Sequence, residues 1–197
     1  MVLTCNLQPL TCNLRPLGDR VYLHEFVTPR TYLIEQLYPQ LQKTTKRETI
    51  HACLDWISQE TKYKTERGDV WLMPSETITK GEGDCEDLSF CLCSLLRACG
   101  LSADEVFVAL GTYGSLVVKH AWVNWLNGKY WVLESTLSQA PDSIPEQVYP
   151  YDAWILFNDV NTMELRPGFQ LIGLSSRKDP EQKIREIEDF YGIRVRR

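Results

Sequence analysis

The run Gly-Asp-Cys-Glu-Asp at 83–87, with the apolar stretch behind it, limits what this chain can fold into more than any other segment. Asp84 is a natural helix N-cap, and Asp87 stands three residues on, in the position of a capping box. Leu88, Leu92, Leu95, Leu96 and Cys99 then keep one face apolar until Gly100 supplies a stop. The spacing predicts a strong helix whose first turn carries Cys85, preceded by a short helical turn and a glycine-rich loop. Such a face must be buried, and the chain supplies a sheet downstream. EVFVALG at 105–111 reads as a buried strand, and VVKHAWVNW at 117–125 and YWVLEST at 130–136 as two more. Asn127-Gly128 between the last two is a strong hairpin signal.

Upstream, Thr28-Pro29 has the composition of a helix start, and Tyr32, Leu33, Leu37 and Leu41 follow at helical spacing, with Pro39 as a possible break. A second helix is expected over 46–61, with Ile50, Cys53, Leu54, Ile57 and Thr61 on one face. His24 and His51, in these regions, read as surface or packing histidines. A tandem copy, LTCNLQP at 3–9 and LTCNLRP at 10–16, precedes them. Each copy ends in proline, which excludes a coiled-coil heptad, and two copies are too few for a solenoid. Residues 1–27 are expected to form an extended arm. Its Cys5 and Cys12 are either a metal or disulfide pair or, more simply, small apolar side chains. Beyond 137 come proline-punctuated loops, an apolar stretch at 153–157, an expected strand at 169–174, an expected charged helix from Asp179-Pro180 to about 191, and a short basic tail. No shift in composition divides 28–197, which reads as one domain.

Composition bounds the function. The 197 residues suit one domain, and 44% hydrophobic with 24% charged residues is globular composition. A net charge of −5 without a dense Lys/Arg block argues against nucleic acid as a partner. The apolar runs are too short for a bilayer, so no membrane partner is expected, and MVLTCNLQPL lacks the features of a signal peptide. Seven cysteines is an odd number. With no export signal, the expectation is a cytoplasmic protein with free thiols. Cys91 and Cys93 lack paired zinc spacing, so no metal is expected, and no cofactor either.

The question is then which thiol reacts. Cys85 sits where unpaired backbone N–H groups and the helix dipole favour a thiolate and can later serve an oxyanion. Cys91, Cys93 and Cys99 lie deeper, where cysteine acts as a small hydrophobe. Of the three histidines, His120 is the one inside a strand, and is the candidate base. Glu134 on the partner strand can orient its imidazole through Nδ1. A two-residue turn would put His120 and Glu134 on opposite faces. A three-residue loop of Leu126, Asn127 and Gly128, with glycine left-handed, sets them opposite each other. It also gathers Ala121, Val123, Trp125, Trp131 and Leu133 on an apolar face, with His120, Trp122, Tyr130, Val132 and Glu134 on the other. The bulged hairpin is therefore expected. Trp122, on the face of His120, is a candidate wall of a substrate cleft.

Taken together, GDCED, an apolar helix ending in Cys-Gly-Leu, then HAWV and WVLES resemble the transglutaminase-like superfamily over roughly 47–137. The resemblance implies a papain-like α+β fold, with a cysteine at the start of a central helix packed on an antiparallel sheet bearing histidine and an acid. It maps the nucleophile to Cys85, the base to His120 and the orienting acid to Glu134. Members also donate a side-chain hydrogen bond to the oxyanion from upstream, for which Trp71 and Gln59 are candidates. The family more often has aspartate, in an Asp-Pro-Thr context, where this chain reads Glu-Ser-Thr. The implied activity is acyl transfer on an amide of a protein or peptide substrate through a thioester, with hydrolysis (protease, peptidase or deamidase) expected. The alternatives are crosslinking to an amine, and a binding or scaffold domain that kept the fold without the reaction.

Overall fold

Asp84 caps the central helix as the sequence predicts: its Oδ1 accepts from the Asp87 amide at 3.5 Å, and Asp87 Oδ2 accepts from the Asp84 amide at 3.3 Å. The computed structural model describes residues 10–12, 21–65, 70–114, 118–139, 151–165 and 193–195. In chain order the helices are α1 (Tyr32–Leu41), α2 (Lys46–Glu60), α3 (Pro74–Lys80) and α4 (Cys85–Ala98). The strands are β1 (Leu10–Cys12), β2 (Val21–Tyr22), β3 (Lys62–Tyr63), β4 (Glu82–Gly83), β5 (Val106–Tyr113), β6 (Val118–Leu126), β7 (Tyr130–Leu133), β8 (Tyr151–Phe157), β9 (Thr162–Glu164) and β10 (Ile193–Val195). The expected strand at 169–174, the helix to about 191 and Cys5 lie outside the described residues.

Five antiparallel strands form the main sheet, in the order β7-β6-β5-β8-β9. Helix α4 packs across one face, against Ala121, Val123, Trp125 and Leu133 together with Val108, Leu110, Ile155 and Phe157. Phe90, in the middle of α4, is fully buried, with ring centroids 5.0 Å from Phe26, 5.2 Å from Trp71 and 5.9 Å from Phe157. A smaller cluster of Phe107, Ala109, Trp122, Val132, Ala153 and Leu156 covers the other face. Burial on both faces explains why β5 is a nearly continuous apolar run rather than an alternating one.

Two helix starts show how local signals and tertiary contacts divide the work. Helix α2 begins on a capping box in which Thr45 Oγ1 accepts from the Glu48 amide at 3.2 Å, at the boundary its sequence indicates. Helix α1 begins at Tyr32 behind Thr31, three residues later than the Thr28-Pro29 signal. The Thr28 amide is instead held at 2.9 Å by Ser94 Oγ of α4, a partner 66 residues away. Pro39 does not break α1 and is carried in its last turn. The N-terminal arm is more structured than expected at 10–12, where β1 pairs with β2 on one side and β10 on the other.

Strand β5 carries a register shift against β8: Leu110 faces Ile155, whereas Gly111 faces Ala153. A Cβ on Gly111 would lie 2.0 Å from the Asp152 carbonyl oxygen and 2.8 Å from the Trp122 ring. Backbone cannot yield as a flexible side chain can, so Gly111→Ala is expected to destabilise the fold by about 1–3 kcal/mol or more. A lowered urea midpoint with an unchanged slope would show it.

Candidate active site

The site is assembled where the start of α4 meets β6. Parallel pairing of β3 with β4 sets Tyr63 opposite Gly83, so the Gly-Asp-Cys turn is held between a strand pair and the helix it begins. Asp87 anchors this turn from below, because its Oδ1 also accepts the Leu72 amide at 2.7 Å. Asp87 is thus a capping and anchoring residue, in keeping with its place in the motif.

His120 and Glu134 share a sheet face and meet at 2.8 Å, His120 Nε2 to Glu134 Oε2. The hairpin reaches this by a different register from the expected one. The loop is Asn127-Gly128-Lys129, and the pairs are Leu126 with Tyr130, Trp125 with Trp131, Asn124 with Val132 and Val123 with Leu133. Gly128 is left-handed at φ +73°, as the Asn-Gly signal requires. The pairing is displaced by two residues, which preserves every side chain's face because the strand period is two. Glu134 therefore reaches His120 diagonally, and contacts Nε2 rather than the expected Nδ1.

Four hydrogen bonds converge on the Glu134 carboxylate. Besides His120, Oε1 accepts from the Thr136 amide at 3.1 Å and from Thr136 Oγ1 at 2.7 Å, and Oε2 accepts from the Tyr151 hydroxyl at 3.2 Å. Burial pushes the carboxyl up, but the hydrogen bond and charge of His120, together with the two Thr136 donors, outweigh it. Its pKa is held below the usual value. Tyr151 is pushed the other way, first by burial and then by the Glu134 charge, which keeps its hydroxyl a donor. Neither Thr136 nor Tyr151 was a sequence-level candidate. Thr136 was legible, since Glu-Ser-Thr places a hydroxyl two residues beyond the acid. Tyr151 had no local signal, because a strand from another part of the chain delivers it.

Cys85 begins α4, almost buried at 9% exposure. Its thiol donates to Glu86 Oε2 at 2.9 Å, and so the hydrogen bond goes to Glu86 and not to His120. The backbone N–H of Ala121, the residue after His120, also reaches the sulfur. The expectation of a preformed thiolate is corrected here. Burial first, and then the charge and hydrogen bond of Glu86, push the thiol pKa up, and the Ala121 amide offsets only part of this. The helix end that should favour an anion already holds the carboxyl groups of Asp84, Glu86 and Asp87. Glu86 is itself pushed up to about 8, by burial and by the charge of Asp84.

A consequence can be read in alkylation kinetics. Above about pH 8 an ionised Glu86 opposes a second negative charge on Cys85. Glu86→Gln is therefore expected to speed iodoacetamide modification of Cys85 by about tenfold or more at pH 9, with a smaller gain at pH 6.5, as each tenfold corresponds to one unit of thiol pKa. Equal rates for the two proteins at pH 9 would remove Glu86 as the restraint.

The remaining candidates differ in burial. Trp122 is fully buried, with its ring stacked near His120 at 6.0 Å and 24° and its Nε1–H donating to Asn124 Oδ1 at 2.9 Å. It backs the imidazole rather than walling a cleft. Trp71, 6% exposed, packs its ring edge-on to Phe26 and Phe90 and belongs to the core. Gln59 is exposed near the end of α2. Cys91 and Cys93 are fully buried on α4, and burial pushes the Cys91 thiol up to about 12, as fits packing cysteines. Among the described residues no group of three or more His, Cys, Asp or Glu side chains is arranged to hold a metal ion, and no helix is long and apolar enough to cross a membrane.

A cysteine at the start of a central helix, laid on an antiparallel sheet that bears a histidine–carboxylate pair, defines a papain-like α+β fold. Residues 35–134 match the family model described as the transglutaminase-like superfamily, and the chain belongs to that superfamily. Among solved structures it is similar to LapG of Legionella pneumophila, at 19% identity and a TM-score of 0.54, over 67% of this chain and 76% of that one. A calcium-bound form of the same protein aligns at 19% identity and a TM-score of 0.54, over 77% and 84%. A TGase structure is a weaker likeness, at 15% identity and a TM-score of 0.42, over 61% and 34%. No curated protein sequence matches. At these identities the likenesses describe the fold.

Proposed function

We propose that this protein hydrolyses an amide bond by acyl transfer through a thioester on Cys85, with His120 as base and Glu134 as the orienting acid. The observation that carries this reading is the His120–Glu134 pair at 2.8 Å, on the strand whose Ala121 amide reaches the Cys85 sulfur. With Nε2 held by the carboxylate, Nδ1 is the nitrogen left to accept the thiol proton. The sulfur leaves Glu86 and gives its proton to Nδ1. The thiolate attacks the carbonyl carbon of the amide, and backbone N–H groups at the start of α4 receive the oxyanion. The imidazolium returns its proton to the departing amine as the C–N bond breaks. Water, deprotonated by His120, then attacks the thioester and releases the acid and the free thiol. An amine in place of water would give a crosslink by the same steps.

The Glu86–Cys85 hydrogen bond favours a second reading, a domain that keeps the fold and binds without turnover. Trapping separates the two. An activated acyl donor such as a p-nitrophenyl ester is expected to add one acyl group per chain, located by peptide mass spectrometry on Cys85 and absent from Cys85→Ala. Acylation scattered over several cysteines, or none, would favour the binding domain.

A further inference from the structure

Two thiols outside the acyl-transfer site meet between α2 and the far end of α4. Cys53 stands in the middle of α2 and is fully buried, and Cys99 directly follows the last residue of α4 and is 5% exposed. Both are free, and the Cys53 thiol hydrogen-bonds to the Cys99 sulfur. The contact has a direction: Cys99 Sγ donates onward to the Tyr38 carbonyl at 3.7 Å, which leaves Cys53 as the donor and Cys99 as the acceptor. Cys99 is also fixed through its backbone. Its N–H donates to the Leu95 carbonyl at 2.9 Å, and its own carbonyl accepts from Gln42 Nε2 at 3.1 Å.

Packing alone gives two touching cysteines no reason to differ, yet these do. The hydrogen bond from Cys53 favours a Cys99 thiolate, burial opposes it and the Lys43 charge supports it, so that the Cys99 pKa is lowered. The same hydrogen bond, followed by burial, holds Cys53 as the protonated thiol. Cys91, by contrast, acts on Cys53 through its charge alone. A groove lined by Gln42, Lys43, His51 and Ala52 runs along this side of α2 and brings solvent to the side chains around Cys99. A thiol inclined to ionise, touching a second thiol and close to solvent, is what oxidation to a disulfide requires. The sulfurs are already in contact, and a short approach closes them to an S–S bond of about 2.0 Å.

We infer that Cys53 and Cys99 form a redox modification site, at which hydrogen peroxide converts the thiol pair into a disulfide that ties α2 to the end of α4. The Cys99 thiolate attacks one peroxide oxygen and the O–O bond breaks. The departing hydroxide takes up the proton that Cys99 gave away and becomes water, leaving Cys99 as a sulfenic acid. The Cys53 sulfur then attacks the Cys99 sulfur, and the Cys53 proton leaves with the sulfenic hydroxyl as a second water. Two thiols are oxidised by two electrons, and one peroxide is reduced to two waters.

The site is independent of Cys85 and is tested on the full-length chain. Hydrogen peroxide is added, remaining thiols are blocked, and tryptic peptides are mapped by mass spectrometry. Cys53 and Cys99 fall in peptides 48–62 and 98–119, whereas Cys85, Cys91 and Cys93 share 81–97. A disulfide joining 48–62 to 98–119, removed by dithiothreitol, is expected at a peroxide dose that leaves Cys91 and Cys93 reduced. The oxidised chain should also unfold at a higher urea concentration than the reduced one, because the bond restricts the unfolded chain. In Cys53→Ala, Cys99 has no resolving partner and should remain a sulfenic acid that dimedone labels. In Cys99→Ala, oxidation of Cys53 should slow by about tenfold or more, since the more readily ionised thiol is gone. If either variant fails to fold, the peptide map of the parent chain decides alone. A disulfide from 48–62 to 81–97, no disulfide on 48–62, or a urea midpoint that does not rise on oxidation overturns the site.

Discussion

Substituting His120 by alanine is expected to lower the rate of Cys85 acylation by about 10²–10⁴-fold, the range typical for loss of a positioned general base. The thiol starts from a disfavoured position: buried, hydrogen-bonded to Glu86, and raised above its ordinary pKa. A group able to take its proton is therefore worth more here than beside a thiol that ionises by itself. Glu134→Gln should cost less, about tenfold, because the amide oxygen still accepts a hydrogen bond while the charge that supports an imidazolium is lost. Stopped-flow acylation of the three proteins between pH 5 and 9 gives the comparison. A His120→Ala rate within twofold of the parent would remove the base from the mechanism. The sign of the Glu134 contribution to folding is also set. Its folded pKa lies below the ordinary value, so its stabilisation is present above the unfolded pKa and is lost as pH falls through the folded one.

Phe90→Ala is expected to destabilise the protein by about 3–5 kcal/mol. Phe90 is fully buried, with the rings of Phe26, Trp71 and Phe157 packed against it. Those three residues come from the segment before α1, from the loop before α3 and from β8, so the void would be shared by parts that cannot all move inward together. The same helix carries Cys85 five residues earlier, which makes this a test of whether core packing sets the site. Urea unfolding followed by tryptophan fluorescence measures the loss. A change below about 1 kcal/mol would mean that the aromatic cluster relaxes around the cavity. Below the unfolding midpoint, Cys85 acylation by Phe90→Ala reports whether the helix start keeps its position on β6.

Much of this was legible in the residues. The Asp84–Asp87 capping box, the apolar face of α4 and the boundaries of α2 are local properties, and local chemistry predicts them. The sorting of β6 and β7 onto two faces was equally legible, because a period of two survives a register error of two. The register itself was not. A loop of 126–128 and one of 127–129 satisfy the same alternation, and the actual choice shows only in the pairing of Leu126 with Tyr130. Trp71 and Trp122 look like cleft residues when read singly, and become core and backing residues once Phe26, Phe90 and Asn124 are brought beside them.

The sequence by itself determined where the cysteine, the histidine and the acid stand on their elements, since helix capping and strand alternation act over a few residues. Only the tertiary structure decided the electrical state of the thiol and of the acid. Burial is the largest influence on the charge of this thiol, and burial depends on distant segments. A helix start that should stabilise a thiolate is instead occupied by Glu86, buried as α4 packs down on β6. The Glu134 carboxylate is kept ionised by His120 and Thr136 and braced by Tyr151 from β8.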